Sequence, residues 1–207
     1  MRTNFSASVE ALALLAITLP SALLLRESSL WFLIPFALIT LQRRDYTEYG
    51  LDLWSRARWG GVRFHVLNVG VVFGAYALGH VLLARWFFGQ HFNLQLPEHP
   101  YWLLVNQLLA VALPEEFFFR GYLQTQLNRS FGRPFVLLGA RVGIGLPVAA
   151  ALFALCHVPL GGATQLIVFF PGLWYGWLRE RTDGIAVPIV YHALSNVLMR
   201  VILTSLA

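Results

Sequence analysis

The chain has 207 residues, 57% hydrophobic and only 12% charged. That balance excludes an ordinary soluble domain, and it predicts a polytopic membrane protein. All fifteen cationic residues are arginines scattered between apolar segments, so the formal charge of +5 reads as a topology signal and not as a nucleic-acid surface. The length fits one membrane-embedded domain over residues 1–207. The single Cys156 excludes an internal disulfide and a multi-cysteine metal site. It diverges from its neighbour His157 on a helix and reads as small packing.

Residues 11–25 form the first apolar run, broken by Pro20, and no small-x-small cleavage site follows, so it reads as a retained helix. Residues 30–41 are a short second run that makes a hairpin with the first. The polar stretch 42–63 carries Arg43, Arg44, Arg56, Arg58 and Arg63 with Trp54 and Trp59, the dressing of a membrane surface or of a substrate-docking helix. Within it, residues 46–51 read as a turn. The third span covers 64–88, where Gly70 and Gly74 offer a small-x-x-x-small face for close helix contact. His65 and His80 in this span read as packing residues. The fourth span covers 101–127, the fifth 144–158, the sixth 163–178 with Gly172 and Gly176, and the seventh 185–206. Pro159-Leu160-Gly161-Gly162 is expected to turn the chain between the fifth and sixth. The fold class expected is all-α, a transmembrane bundle of about seven spans, with six to eight compatible.

The connections 42–63, 128–143 and 179–184 hold ten arginines, and the alternate connections 26–29, 89–100 and 159–162 hold only Arg26. The positive-inside rule puts the arginine-rich set in the cytoplasm, with the N-terminus inside and the C-terminus outside for seven spans.

The most informative stretch is Leu113-Pro114-Glu115-Glu116-Phe117-Phe118-Phe119-Arg120-Gly121-Tyr122. A charge at bilayer depth costs about 2.5–3.5 kcal/mol on insertion scales, so such groups face a bundle interior and mark function by default. Pro114 frees backbone carbonyls near the glutamates. Glu116 and Arg120 are helix neighbours at i,i+4 and can pair, while Glu115 points about 100° away. The alternative is a buried Glu–Arg clasp without chemistry. At about 1.5 Å per residue, Glu115 lies roughly 18 Å above the cytoplasmic end of its span, His157 roughly 20 Å, and His192 and Asn196 roughly 12 and 18 Å. Three helices thus bring a carboxylate, two imidazoles and an amide to one layer, with Phe153 on the face of His157.

The ordered set Glu-Glu-x-x-x-Arg (Glu115, Glu116, Arg120), Phe-x-x-x-His (Phe153, His157) and His-x-x-x-Asn (His192, Asn196) resembles the CPBP family, the CAAX-protease and bacteriocin-processing intramembrane glutamic endopeptidases. The resemblance covers roughly residues 60–207. It implies that Glu115, helped by His157, activates a water for peptide-bond hydrolysis without a covalent intermediate, a cofactor or a metal. His192 and Asn196 would stabilise the oxyanion, and Glu116 and Arg120, with Phe153, would support the site. Phe117, Phe118 and Phe119 would line the substrate path, face lipid or pack in the core. The implied partners are the lipid bilayer and a membrane-anchored or lipidated protein substrate, with no nucleic acid. The leaning is towards a bacterial inner membrane. Two other readings stand beside this one: a divalent-metal protease using the carboxylate and the histidines, and a non-catalytic immunity or scaffold protein. A proton-coupled transporter lacks support from any inverted repeat.

Overall fold

Apolar runs of this length bury their backbone polar groups by closing them into helices, since a bilayer offers no other partner. The computed structural model describes residues 5–25, 27–52 and 61–206. Among them are seven helices in chain order: α1 (Phe5–Leu25), α2 (Leu30–Leu41), α3 (Val62–Phe88), α4 (Pro100–Phe131), α5 (Gly145–Gly161), α6 (Phe169–Thr182) and α7 (Ala186–Ser205). Helices α1, α3, α4 and α7 are long and apolar enough to cross a membrane; α2 and α5 are shorter apolar helices. Arg56, Arg58, Trp54 and Trp59 of the expected surface stretch lie outside the described residues, as do Arg2 and Arg26. The expected turn at 46–51 is a 3-10 turn over Tyr46–Tyr49, capped by Asp45, which accepts a hydrogen bond from the Thr47 N–H. A two-stranded antiparallel hairpin, β1 (Phe135–Leu137) and β2 (Ala140–Val142), occupies the connection after α4, and with an isolated bridge between Phe92 and Leu206 it departs from all-α structure.

Two boundaries differ from expectation. Helix α5 runs through Pro159 to Gly161 and does not turn at the proline. The segment expected to begin the sixth span is a separate 3-10 turn, Ala163–Val168, and α6 starts only at Phe169.

The two small-residue pairs also part ways. A Cβ on Gly70 or Gly74 would meet no atom within 4 Å, so the expected close contact on α3 is not made within the described chain. On α6, by contrast, a Cβ on Gly172 would lie 3.3 Å from Arg120 Nη2, and one on Gly176 would lie 2.8 Å from Gln124 Oε1. The glycines let α6 lie against α4, where a polar ladder reaches across. Arg120 donates to the Gly172 carbonyl (3.3 Å), Gln124 to the Gly176 carbonyl (3.0 Å) and to Glu180 (2.7 Å), and Asn128 to Glu180 (2.7 Å). Residues 120, 124 and 128 are spaced by four and so share one helix face.

The arginine-rich connections gather at one end of the bundle. Arg44 forms a two-pronged pair with Glu10 (2.8 and 2.6 Å), Arg129 pairs with Glu48, and Arg133 with Glu180 (2.8 Å). Arg179 donates to the Glu48 carbonyl at 3.1 Å, and Ile185 N–H to the Gly50 carbonyl at 3.2 Å. At the other end the 89–100 connection meets the end of α7, with Asn93 N–H on the Ser205 carbonyl at 2.8 Å.

Candidate active site

Helix α4 carries the glutamates and is not uniform. Two π-helical stretches, Gln107–Ala112 and Phe117–Leu123, flank the regular turn Leu113–Glu116. Such wide turns recur at functional sites and re-aim side chains relative to a regular helix. Pro114 has no N–H for the carbonyl of Ala110, four residues earlier. The Ser28 hydroxyl, from the α1–α2 turn, donates to that carbonyl at 2.7 Å. The freed carbonyl expected from the proline is thus the anchor of the first hairpin.

The adjacent glutamates have different surroundings. Glu116 and Arg120 are fully buried and paired at 3.0 Å. Glu116 Oε1 also accepts a hydrogen bond from His192 Nδ1 at 2.8 Å. The Arg120 guanidinium lies 4.3 Å from the centre of the Phe153 ring and 5.4 Å from that of Tyr175, and Tyr175 stacks on His192 with ring centres 5.0 Å apart. Desolvated cation–π contacts of this kind contribute about 2 kcal/mol. Glu115 points the other way, into a cavity of about 630 Å³ lined also by His157, Trp31, Phe119, Cys156 and Leu160. Its side chain keeps 15% of its exposure, and its buried Oε2 has no hydrogen-bond partner among the described residues.

Both imidazoles face that oxygen. Nε2 of His157 and Nε2 of His192 each lie 3.9 Å from Glu115 Oε2. Each ring is held at its other nitrogen: His157 Nδ1 donates to the Phe153 carbonyl (2.8 Å) and His192 Nδ1 to Glu116. An acceptor at Nδ1 puts a proton on that nitrogen, so in the neutral ring it is Nε2 that carries the lone pair, facing Glu115 in both cases. Phe153 stands between, edge-on to His157 and to His192 with ring centres at 4.5 and 6.0 Å.

Of the residues singled out in the sequence, the structure brings Glu115, His157 and His192 together and packs Glu116, Arg120 and Phe153 behind them. Asn196 instead donates from its amide to Gln107 Oε1 at 2.8 Å. Gln107 was not foreseen; its only signal is a polar side chain inside an apolar span. Phe117, Phe118 and Phe119 are fully buried, and Phe119 alone of the three reaches the cavity. Cys156 packs beside Glu115 as a buried thiol. His65 and His80 of α3 bond Tyr191 and the Tyr76 carbonyl, away from this cluster. Among the described residues no three His, Cys, Asp or Glu side chains are placed to ligate one metal ion.

The family model described as "Type II CAAX prenyl endopeptidase Rce1-like" matches residues 97–198, a range that holds every member of the cluster. Over this segment, just under half of the chain, the protein is similar to the Rce1-like family. That family lies within the CPBP group, and at its level the protein is a CAAX-type intramembrane peptidase. The match is narrower than the resemblance read in the sequence: helices α1–α3 fall outside it. No curated protein and no solved structure matches the chain.

Proposed function

We propose that the protein is a glutamic-type intramembrane endopeptidase that hydrolyses a peptide bond near the C-terminus of a membrane-associated protein. The observation that carries this reading is the convergence of two imidazole Nε2 atoms, at 3.9 Å each, on one buried oxygen of a carboxylate that lines a cavity together with His157. That distance is too long for a direct hydrogen bond and suits groups that share a water.

Glu115 takes a proton from the water, and the resulting hydroxide attacks the scissile carbonyl carbon. The tetrahedral intermediate collapses as its C–N bond breaks, and the proton held by Glu115 passes to the departing amine. His157 accepts a hydrogen bond from the water through Nε2 and aims it. A donor is needed for the oxyanion. The Asn196 amide has a second N–H beyond the one given to Gln107 and supplies it without any change of protonation. His192, with its proton on Nδ1, donates from Nε2 only as the imidazolium, whose charge the Glu116 carboxylate would face. Glu116, Arg120 and Phe153 hold the rings and do not touch substrate. The same geometry argues against a scaffold, which has no reason to leave a buried carboxylate oxygen without a hydrogen bond between two imidazole nitrogens. The seat of action on this reading is a bacterial inner membrane, with the arginine-rich end in the cytoplasm.

The test compares membrane-protein C-termini by mass spectrometry in cells carrying the wild-type chain or Glu115→Gln. A C-terminus trimmed only with the wild type supports the reading and identifies the substrate. Matching profiles, with Glu115→Gln still rescuing a gene deletion, would move the assignment to the scaffold reading. Loss of trimming in a chelator, reversed only by added zinc, would favour the metal alternative.

A further inference from the structure

Two cavities lie at opposite ends of the bundle and share no lining residue. One, of about 430 Å³, belongs to the arginine-rich end, between Ser6, Glu10, Arg44, Glu48 and Arg129. The other holds Glu115 and His157, and its remaining walls come from the opposite end: Leu19, Ala22 and Leu23 late in α1, Ser28 in the α1–α2 turn, Trp31 early in α2, and Pro159 and Leu160 in the last turn of α5.

Between the two lies a packed layer of described residues. Phe117, Phe118, Tyr122 and Leu123 are fully buried on α4 below Glu115. Beneath them Glu10 accepts from the Tyr122 hydroxyl, from Gln126 and from both prongs of Arg44, tying α1, α4 and the turn after α2 together. Arg129 adds bonds to the Tyr49 hydroxyl and Gln126. A polypeptide coming from this end would have to break that network and displace the aromatic plug to reach Glu115. From the other end, among the described residues, it enters between Ser28 of the α1–α2 turn and Leu160, which is 69% exposed.

We infer that the scissile segment reaches Glu115 from the arginine-poor end. With the arginine-rich end in the cytoplasm, the substrates are then exported proteins, cut in a tail that lies at the outer face of the membrane beside an apolar anchor. The chemistry of the walls fits this class. Apart from Glu115, His157 and Ser28 they are aliphatic, aromatic or thiol, which suits an extended peptide with small or apolar side chains. The 89–100 connection at that end carries no Lys or Arg. This inference names the substrate class of the hydrolase proposed above and rests on that reading for the cleavage itself, but not for the direction of access.

The test uses the chain's lone thiol position. In a Cys156→Ala background, Leu160→Cys or Leu23→Cys marks the mouth of the Glu115 cavity, and Ser6→Cys marks the other end. A permanently charged methanethiosulfonate reagent, which the bilayer core excludes, is applied to intact spheroplasts and to inverted vesicles. Leu160→Cys and Leu23→Cys should react roughly tenfold or more faster in spheroplasts, and Ser6→Cys faster in inverted vesicles. Attachment of a bulky charged group at Leu160→Cys should also abolish trimming relative to the same unlabelled variant. Reaction at both mouth positions from the cytoplasmic side overturns the inference, and so does labelled Leu160→Cys that still trims. The labelling rates do not depend on catalysis. If Glu115→Gln trims like wild type while the mouth still labels from outside, the hydrolase reading fails and the access route stands.

Discussion

Adjacent glutamates on α4 should respond to the same substitution in opposite ways. Glu116→Gln removes the negative charge that Arg120 (3.0 Å) and His192 (2.8 Å) both use, and all three groups are buried. Removing one partner of a buried ion pair leaves an uncompensated charge and costs about 3–5 kcal/mol. For a chain of this length each kcal/mol lowers the melting temperature by about 2–4 °C, so the expected loss is about 6–20 °C. Glu115→Gln is the same chemical change one residue earlier. Its Oε2 has no hydrogen-bond partner to lose, so melting should stay within about 2 °C of wild type. Trimming should fall to background in Glu115→Gln. The assay is thermal unfolding of both variants purified in one detergent, followed by the C-terminal mass comparison in cells. Equal melting shifts for the two variants would refute the division of labour between them. So would a stable Glu116→Gln protein beside an unfolded Glu115→Gln protein.

Asn196→Ala should lower kcat by about 10²–10³, the loss typical of a missing oxyanion donor, with melting nearly unchanged. Gln107→Leu, which removes the acceptor for the Asn196 amide, should lower kcat about tenfold with KM unchanged, since a misaimed donor acts on the transition state; Gln107→Glu keeps an acceptor and should restore most of the rate. Gly176→Ala puts a Cβ 2.8 Å from Gln124 Oε1 and 3.1 Å from Leu146 Cγ and should destabilise by about 1–3 kcal/mol through overpacking, while Gly74→Ala, facing open space, should cost nothing measurable in thermal unfolding. The hydrogen bond from the Thr47 backbone N–H holds the Asp45 carboxyl below its usual range. A depressed value means that the cap's contribution is present above the unfolded carboxylate value and is lost as pH falls through the folded one; backbone exchange at residues 46–50 should therefore gain protection as pH rises through the acid range, after correction for intrinsic exchange, and Asp45→Asn should flatten that profile.

The apolar runs were legible because a bilayer admits little else: stretches of this hydropathy close into helices wherever they occur, and the seven expected segments all carry one. The Glu116–Arg120 pair was legible for a local reason, since i,i+4 geometry needs no tertiary knowledge. What the sequence did not disclose depends on partners far along the chain. Gln107 meets Asn196 across 89 positions and Ser28 meets Ala110 across 82, and no periodicity encodes such pairs. Glu10 had a signal, a lone carboxylate at the head of an apolar run, but its donors Arg44, Tyr122 and Gln126 come from two other segments. The glycine pairs show the same limit. Gly70–Gly74 and Gly172–Gly176 have identical spacing, yet only the second faces a helix with a polar ladder to receive it. The boundary error at Pro159 has a simpler origin. A proline fourteen residues into a helix costs one hydrogen bond and a clash, and α5 accepts it within its last turn, where little remains to be broken.

The arrangement of the two histidines bears most directly on why the cluster reads as chemistry. A histidine placed only for packing is satisfied when either nitrogen finds a partner. Here each ring is satisfied at Nδ1 by the protein's own frame, one by the helix carbonyl of Phe153 and one by the Glu116 carboxylate. Because both clamps accept, both rings in their neutral form turn Nε2 lone pairs towards Glu115, whose Oε2 is itself an acceptor. Three acceptors converging in a buried site repel one another unless a donor stands between them. A water with two protons, or one proton carried on an imidazole, resolves that conflict, and these are the species the proposed hydrolysis passes through. The clamp on His192 ties this point to the structural pair: weakening Glu116 or Arg120 frees the His192 ring to flip and presents Nδ1 and Nε2 interchangeably. Arg120→Lys keeps the charge but loses the planar fork that reaches both Glu116 and the Gly172 carbonyl. It should therefore cost activity beyond its cost in stability, with kcat falling more steeply than the folded fraction in the same preparation. A fall in activity no larger than the loss of folded protein would show that the ion pair serves the fold alone.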